Sequence, residues 1–393
     1  MRVVLYTGKG GVGKTTTAAA TAVHAARSGR STLVASADSA HSLGDVLERR
    51  LGPRPSRVAP NLDALEVDTP AETQRHWGAV RDYLISLFRY QGIEEVVAEE
   101  LALLPGAEEI TTLLAVEAYA REGGYDFVVV DCAPTDSALR LLTLPEVARG
   151  AFRVLLRVQR ALASVVTPLA RNLIPVPLPE SEVFRDAENL LFRKLRGLRD
   201  FASDRNSSVR LVLTPERMAI DEALRAHTDL ALFELPCDAV VMNRLLPEAA
   251  AEEDFFREWV RLQVERLAEV EELFAPLPVL TAPLQDDEVT GLDRLAQHAD
   301  RLFGTVEPDA VLSTAPRIRF EAEDGGYRME VPLPHGGSRQ LDVAKIDGDL
   351  VITTGTRRRC LPLPRRIAHL ELSRANLRDQ SLVVHFTAAV GAS

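Results

Sequence analysis

Lysine is nearly absent from this chain: four of 393 residues, against forty-two arginines. Where arginine replaces lysine almost everywhere, a retained lysine marks a place where the compact ammonium itself matters. Cysteine is also scarce. Cys132, Cys237 and Cys360 are odd in number, far apart and free of any CxxC pairing, which excludes a disulfide framework and fits a reducing cytoplasm. No apolar run reaches membrane-spanning length. The first apolar stretch, Val3 to Thr7, is too short for the core of a signal peptide. Excess positive charge is missing too. The net charge of −11 excludes a general binder of nucleic acid or anionic membrane. What remains is a soluble globular chain, 46% hydrophobic and 26% charged, long enough for two domains.

Two of the four lysines fall within ten residues, "TGKGGVGKTT" at 7–16. Around it, "RVVLYTGKGGVGKTTTAAATAVHAARSG" reads as a buried strand, a glycine loop and a helix that ends at Gly29. Gly8, Gly13, Lys14 and Thr15 match G-x-x-x-x-G-K-[ST], the phosphate-binding loop. Glycines let successive backbone N–H groups turn toward phosphate oxygens, and the helix dipole adds positive potential. Gly8, Lys9, Gly10, Gly11, Val12, Gly13, Lys14, Thr15 and Thr16 are therefore the candidate ATP cradle. Lys14 is expected to reach the β- and γ-phosphates, and the Thr15 hydroxyl to ligate Mg²⁺.

Such a loop needs one lysine, and here there are two. The motif "GKGGVGKT" resembles the deviant Walker A of the ParA/MinD/ArsA group of ATPases. That resemblance implies a homodimer in which Lys9 reaches the partner's nucleotide and neutralises charge on the transferred phosphoryl group. "DSAHSLGD" at 38–45 is similar to the switch I segment of ArsA and of the Get (TRC) tail-anchor targeting ATPases, with Ser39 in place of a proline. By that likeness Asp38 orients or deprotonates the attacking water and lies near the metal. An N-cap role for Asp38 is compatible with both. "YDFVVVDCAPTDS" resembles the Walker B strand and switch II, with Asp131 facing Mg²⁺. Asp136 and Ser137 stand where the family carries Gly and His, a departure in the segment that couples phosphate state to the rest of the molecule.

Further stretches extend the resemblance over residues 1–304. "LPGAEE" at 104–109 and "VLTPERMAIDEALR" at 212–225 are similar to family segments. "DAVVMNRLLP" at 238–247 resembles the strand ending in an adenine-reading asparagine, here Asn243. "APLQDDEVTGLDRL" at 282–295 resembles the loop that closes over the base, which assigns Pro283 and Leu284 to the nucleotide. The Get zinc CxxC is missing, so no zinc clasp is expected.

Strand patterning thins at about 70–122 and 145–205, which read as a helical insert. In Get-type proteins helices at these places form a groove for a hydrophobic client. The simpler account is that their apolar faces pack on their own domain. Residues 316–393 switch to short alternating strands with regular turns, a β-sandwich pattern. They resemble the α-crystallin domain of small heat-shock proteins. "GTVEPDAVLSTAP" is the linker candidate.

The expectation is an α/β P-loop NTPase with a mostly parallel sheet and helical subdomain, followed by an all-β sandwich. It is a cytoplasmic, Mg²⁺-dependent homodimeric ATPase acting on a hydrophobic or membrane-protein client, without nucleic acid. The alternatives are the energising ATPase of an arsenite-type pump, a ParA/MinD-like positioning switch, and a nucleotide-regulated holdase.

Overall fold

Strand β1 (Arg2–Thr7) is buried along its whole length, as an apolar run must be when both faces of a parallel sheet are covered. The chain then forms α1 (Lys14–Arg27), β2 (Thr32–Ala37), α2 (Leu43–Leu47), β3 (Ser56–Ala59) and β4 (Leu62–Glu66). Next come α3 (Thr69–Tyr90), α4 (Glu95–Leu101), α5 (Ala107–Gly123), β5 (Phe127–Cys132) and α6 (Leu195–Ser203). β6 (Ser207–Leu213), α7 (Arg217–Leu232), β7 (Cys237–Leu245), α8 (Asp254–Phe274), β8 (Val279–Pro283) and α9 (Gly291–Phe303) complete this half. This computed structural model describes residues 1–37, 42–90, 92–101, 107–132, 194–336, 341–346, 348–355 and 357–388. Asp38, residues 133–137 of switch II, residues 104–106 of "LPGAEE" and most of the second helical insert lie outside the described residues.

Eight described strands form one sheet in the order β3-β4-β2-β5-β1-β6-β7-β8. Every pairing is parallel except β3 with β4. This is the expected α/β architecture, with β1 central and its carboxyl end at the place where such sheets bind ligands. The first helical insert is present as α3, α4 and α5. The β3–β4 hairpin at the edge was not anticipated; its turn places Asn61 at φ 60, a conformation asparagine tolerates better than most residues. No helix among the described residues is long and apolar enough to cross a membrane.

The face of the sheet beneath α1 and α9 carries a buried charge cluster. Asp238 accepts from Arg2 at 2.7 Å and from Arg210 at 3.2 Å, and none of its side chain is exposed. Arg210 also donates to Tyr6 Oη at 3.2 Å, and Tyr6 Oη lies 2.7 Å from Thr21 Oγ1 on α1. The segment after α9 completes the cluster. Arg2 Nε donates to the Asp309 carbonyl at 3.1 Å, and Arg210 Nη2 to the Ala310 carbonyl at 3.1 Å. The linker candidate is thus partly fastened to the sheet.

Beyond it lie β9 (Arg319–Glu323), β10 (Gly326–Pro332), β11 (Leu341–Ile346), β12 (Asp349–Thr354), β13 (Arg357–Pro362), β14 (Glu371–Arg378) and β15 (Ser381–Thr387). They form two antiparallel sheets, β14-β15-β10-β9 and β11-β12-β13, the expected all-β tail. Met329, Val331, Ile352, Leu382, Val384 and Phe386 are buried in its core. The tail rests on the carboxyl half of α7. Arg359 pairs with Glu234 at 2.8 Å, Arg357 with Asp229 at 3.4 Å, and Thr228 Oγ1 donates to the Pro334 carbonyl at 2.6 Å.

Two outcomes are expected. A chain ending at Thr305 loses the carbonyls that accept from Arg2 and Arg210, whereas one ending at Thr314 keeps them. The shorter chain is expected to be less stable by about 1–3 kcal/mol, the cost of a buried donor left unpaired; equal denaturation midpoints would show the cluster does not need them. The second outcome concerns His227, whose Nδ1 lies 3.2 Å from His335 Nε2 of the tail. Burial, and then the neighbouring His335, push His227 down to about 3. The folded state therefore holds this ring neutral while the unfolded chain protonates it near pH 6.5. Its contribution is complete above that pH and is lost as the pH falls toward 3. Melting temperatures between pH 7 and 4 are expected to drop more steeply for the natural chain than for His227→Gln. Parallel curves would assign the acid sensitivity elsewhere.

Candidate nucleotide site

Strand β1 delivers the chain into the loop at Gly8, where φ is 153 and a Cβ would sit 2.1 Å from the carbonyl oxygen of Val212 on β6. Only glycine permits that approach. The loop re-enters at Gly13, with φ 91 and no side-chain cap on α1. The first N–H groups of α1 are thus left to an external acceptor, and the helix dipole favours an anion there. Lys14 is 6% exposed, and its Nζ donates back to the Lys9 carbonyl at 3.4 Å. The ammonium is folded over the loop that a phosphate would fill.

Thr15, on the first turn of α1, donates from Oγ1 to Asp131 Oδ2 at 2.7 Å and lies 3.1 Å from Ser42 Oγ. Asp131 is fully buried at the end of β5. Two of the expected metal ligands, 116 residues apart in sequence, are therefore in contact, with a third hydroxyl beside them. Hydroxyl and carboxylate oxygens are the hard donors that suit Mg²⁺, so the donor set fits that ion. Ser42 was not among the sequence candidates; its signal was its place inside "DSAHSLGD".

Asn243, 4% exposed, donates from Nδ2 to the Val12 carbonyl at 2.9 Å, and its Oδ1 accepts from the Arg244 N–H at 2.9 Å. Its amide here clamps the loop to the end of β7. Pro283 pairs with Leu245, and Leu284 N–H donates to the Leu245 carbonyl at 2.7 Å. The structure thus brings Pro283 and Leu284 to the same end of the sheet as Asn243.

Lys9 is placed differently from Lys14. It is half-buried, and with Gly10 and Gly11 it lines an open cleft of about 210 Å³ whose far side holds Glu216, Arg244 and Trp259. Neither Lys14 nor Thr15 lines this cleft. The sequence reading covered Glu216 and Arg244 within family-like segments but did not join them to Lys9, and it did not address Trp259. Their convergence depends on how β6, β7 and α8 pack.

The loop, its Thr–Asp pair and the second lysine coincide with the extent of a family match. Residues 1–304 match the anion-transporting ATPase (ArsA) family model, and residues 324–386 the HSP20-like domain found in ArsA. The chain belongs to the ArsA ATPase family. A putative arsenical pump-driving ATPase of Aquifex aeolicus is 33% identical over 394 aligned residues, covering 98% of this chain and 99% of the relative. Another, from Prosthecochloris vibrioformis, is 34% identical over 98% of this chain and 96% of its own length. An ATPase ASNA1 homolog of Paramecium tetraurelia is 27% identical over 77% of this chain and 92% of its own length. This chain is an ATPase of the ArsA type with an HSP20-like tail.

Alanine at Gly8 would press its Cβ on a backbone oxygen, whereas a Cβ at Gly10 meets nothing within 4 Å. Gly8→Ala is expected to lose at least about 2 kcal/mol of stability and tight ATP binding, while Gly10→Ala keeps its stability within about 0.5 kcal/mol. Chemical denaturation and nucleotide titration measure both. Equal behaviour of the two variants would contradict the packing of the loop on β6.

Proposed function

We propose that this ATPase is a Mg²⁺-dependent homodimeric switch that couples ATP binding and hydrolysis to a hydrophobic or membrane-protein client. The observation that carries this reading is the separation of the two loop lysines. Lys14 folds back over the loop, and Lys9 lines an open surface cleft that Lys14 does not reach. A loop cation that borders open surface is suited to a nucleotide held by another copy. Beside this cleft, α8 exposes Phe255, Phe256 and Trp259, which are 75%, 39% and 56% accessible. Large apolar side chains clustered at a surface favour a protein partner, here a second copy.

In this reading the α1 N-terminus, the loop amides and Lys14 bind the phosphates. Thr15, Asp131 and Asp38 would hold Mg²⁺ directly or through water, and the ion would supply positive charge beside the phosphates. Asp38 directly follows β2, whose Ser36 and Ala37 pair with Asp131 and Cys132. Its carboxylate orients the attacking water and receives its proton. Asn243, Pro283 and Leu284 border the base. Lys9 of one chain stabilises charge on the partner's transferred phosphoryl group. The cytoplasm is the compartment this reading requires, since it supplies ATP and keeps the three thiols reduced.

A second reading, the driving ATPase of an anion pump, is favoured by the names of the bacterial relatives. This chain's own cysteines do not suit arsenite. Cys132 on β5 and Cys237 on β7 are separated by β1 and β6, about 14 Å at ordinary strand spacing. Burial also pushes the Cys237 thiol up, away from the thiolate a soft ligand needs.

Lys14→Ala is expected to lose tight ATP binding. Lys9→Ala is expected to bind ATP and turn over at least about 100-fold more slowly, as when a cation contributed in trans is removed. Asp38→Asn is expected to bind ATP and accumulate as a long-lived dimer, read by size exclusion with light scattering. Normal turnover in Lys9→Ala, or a mass unchanged by ATP, overturns the dimeric switch. Proteins co-purified with and without ATP, identified by mass spectrometry, separate a client from a transporter.

A further inference from the structure

Arg244 is a non-glycine residue at φ 59, a left-handed conformation that costs an L-residue energy and tends to persist where function requires it. It also interrupts the sheet. The β7–β8 pairing shifts register between Met242 and Leu245, so that Asn243 and Arg244 leave the ladder. Bulges of this kind re-aim a side chain beside a site. The bulge is held from the loop: Asn243 Oδ1 accepts from the Arg244 N–H, and Asn243 Nδ2 donates to the Val12 carbonyl. The phosphate loop and the backbone of Arg244 are therefore linked through one side chain.

The side chain this places is exposed and lines the Lys9 cleft. Among the described residues it makes no ion pair, whereas Arg217 just across β6 is paired with Asp221 and Glu269. Two cations, Lys9 and Arg244, thus border one open cleft in a chain of net charge −11. A guanidinium and an ammonium together form a site for a multiply charged anion, the first by its planar fork and the second as a point charge. Glu216, on the same cleft, is a carboxylate that can accept from ribose hydroxyls. Loop residues Lys9 to Val12 line this cleft, whereas Lys14 and Thr15, the candidate phosphate and metal contacts of the chain's own site, do not.

We infer that Arg244 is a second cation acting in trans, contacting with Lys9 the phosphates of the nucleotide bound by the other copy. The inference rests on the homodimeric reading above and deepens it. The dimer would then be closed by two positive side chains per site, with the Asn243 clamp reporting loop occupancy to one of them.

Arg244→Gly removes the guanidinium while suiting the left-handed backbone, so the fold is retained. It is expected to lower kcat by about tenfold or more, with the KM for ATP changed less than about threefold, as for a group engaged chiefly in the transition state. Mixing Arg244→Gly with Lys14→Ala chains is the deciding measurement. The Lys14→Ala chain binds no nucleotide, yet it still offers Lys9 and Arg244 to the nucleotide of its partner. Turnover is therefore expected to reappear in the mixture, where neither variant alone is active at the natural rate. Normal kcat in Arg244→Gly overturns the inference. So does a loss that mixing fails to restore, which assigns Arg244 to its own chain's site. If Lys9→Ala also turns over normally, the homodimeric reading falls. If Lys9→Ala is impaired and Arg244→Gly is not, only the role of Arg244 falls.

Discussion

The buried carboxylate of Asp238, held between Arg2 and Arg210, is the constraint on which this sheet's arrangement rests. Its members belong to β1, β6 and β7, the three strands whose carboxyl ends carry the loop, Glu216 and Asn243. A charge at 0% exposure is tolerable only when paired and hydrogen-bonded, and removal of one partner is far costlier than the pair is worth. The strands cannot slide past one another without exposing that imbalance. Tyr6 extends the network to α1, and the Ala310 carbonyl extends it to the segment leading into the tail.

With the strands pinned, the opposite ends are free to carry strained backbone. Gly8 passes against Val212, Gly13 begins α1 without a cap, and Arg244 adopts a left-handed conformation. These features would be costly in a loosely held sheet. Asn243 ties the loop to the bulge, its one side chain gripping both. Binding energy at the loop is thereby linked to the geometry of the cleft that holds Lys9.

The HSP20-like tail is joined to this machinery at α7. That helix begins next to the cleft, at Arg217, and ends where Asp229 and Glu234 receive Arg357 and Arg359. One rigid element therefore touches both the nucleotide face and the sandwich. The tail was legible as a separate β-patterned segment. Its seat on the ATPase was not, since an arginine in a strand pattern reads as solvent-facing until its partner is known.

The family, the α/β class, the β-sandwich tail and the phosphate loop were all legible along the chain. These are local properties: apolar runs, glycine spacing and a helix start are encoded within a few neighbouring residues, and the scarcity of lysine singled out Lys9. Which distant groups meet was set by the packing of strands and helices. Thr15 and Asp131 were each legible, yet their contact, and Ser42 beside it, required β1 and β5 to pair in register. The fastening of residues 309–310, the Asn243 clamp and the cleft that joins Lys9 to Glu216, Arg244 and Trp259 leave no pattern in the chain. They depend on strand order and on helices packed across it, and spacing along a sequence carries no information about that order.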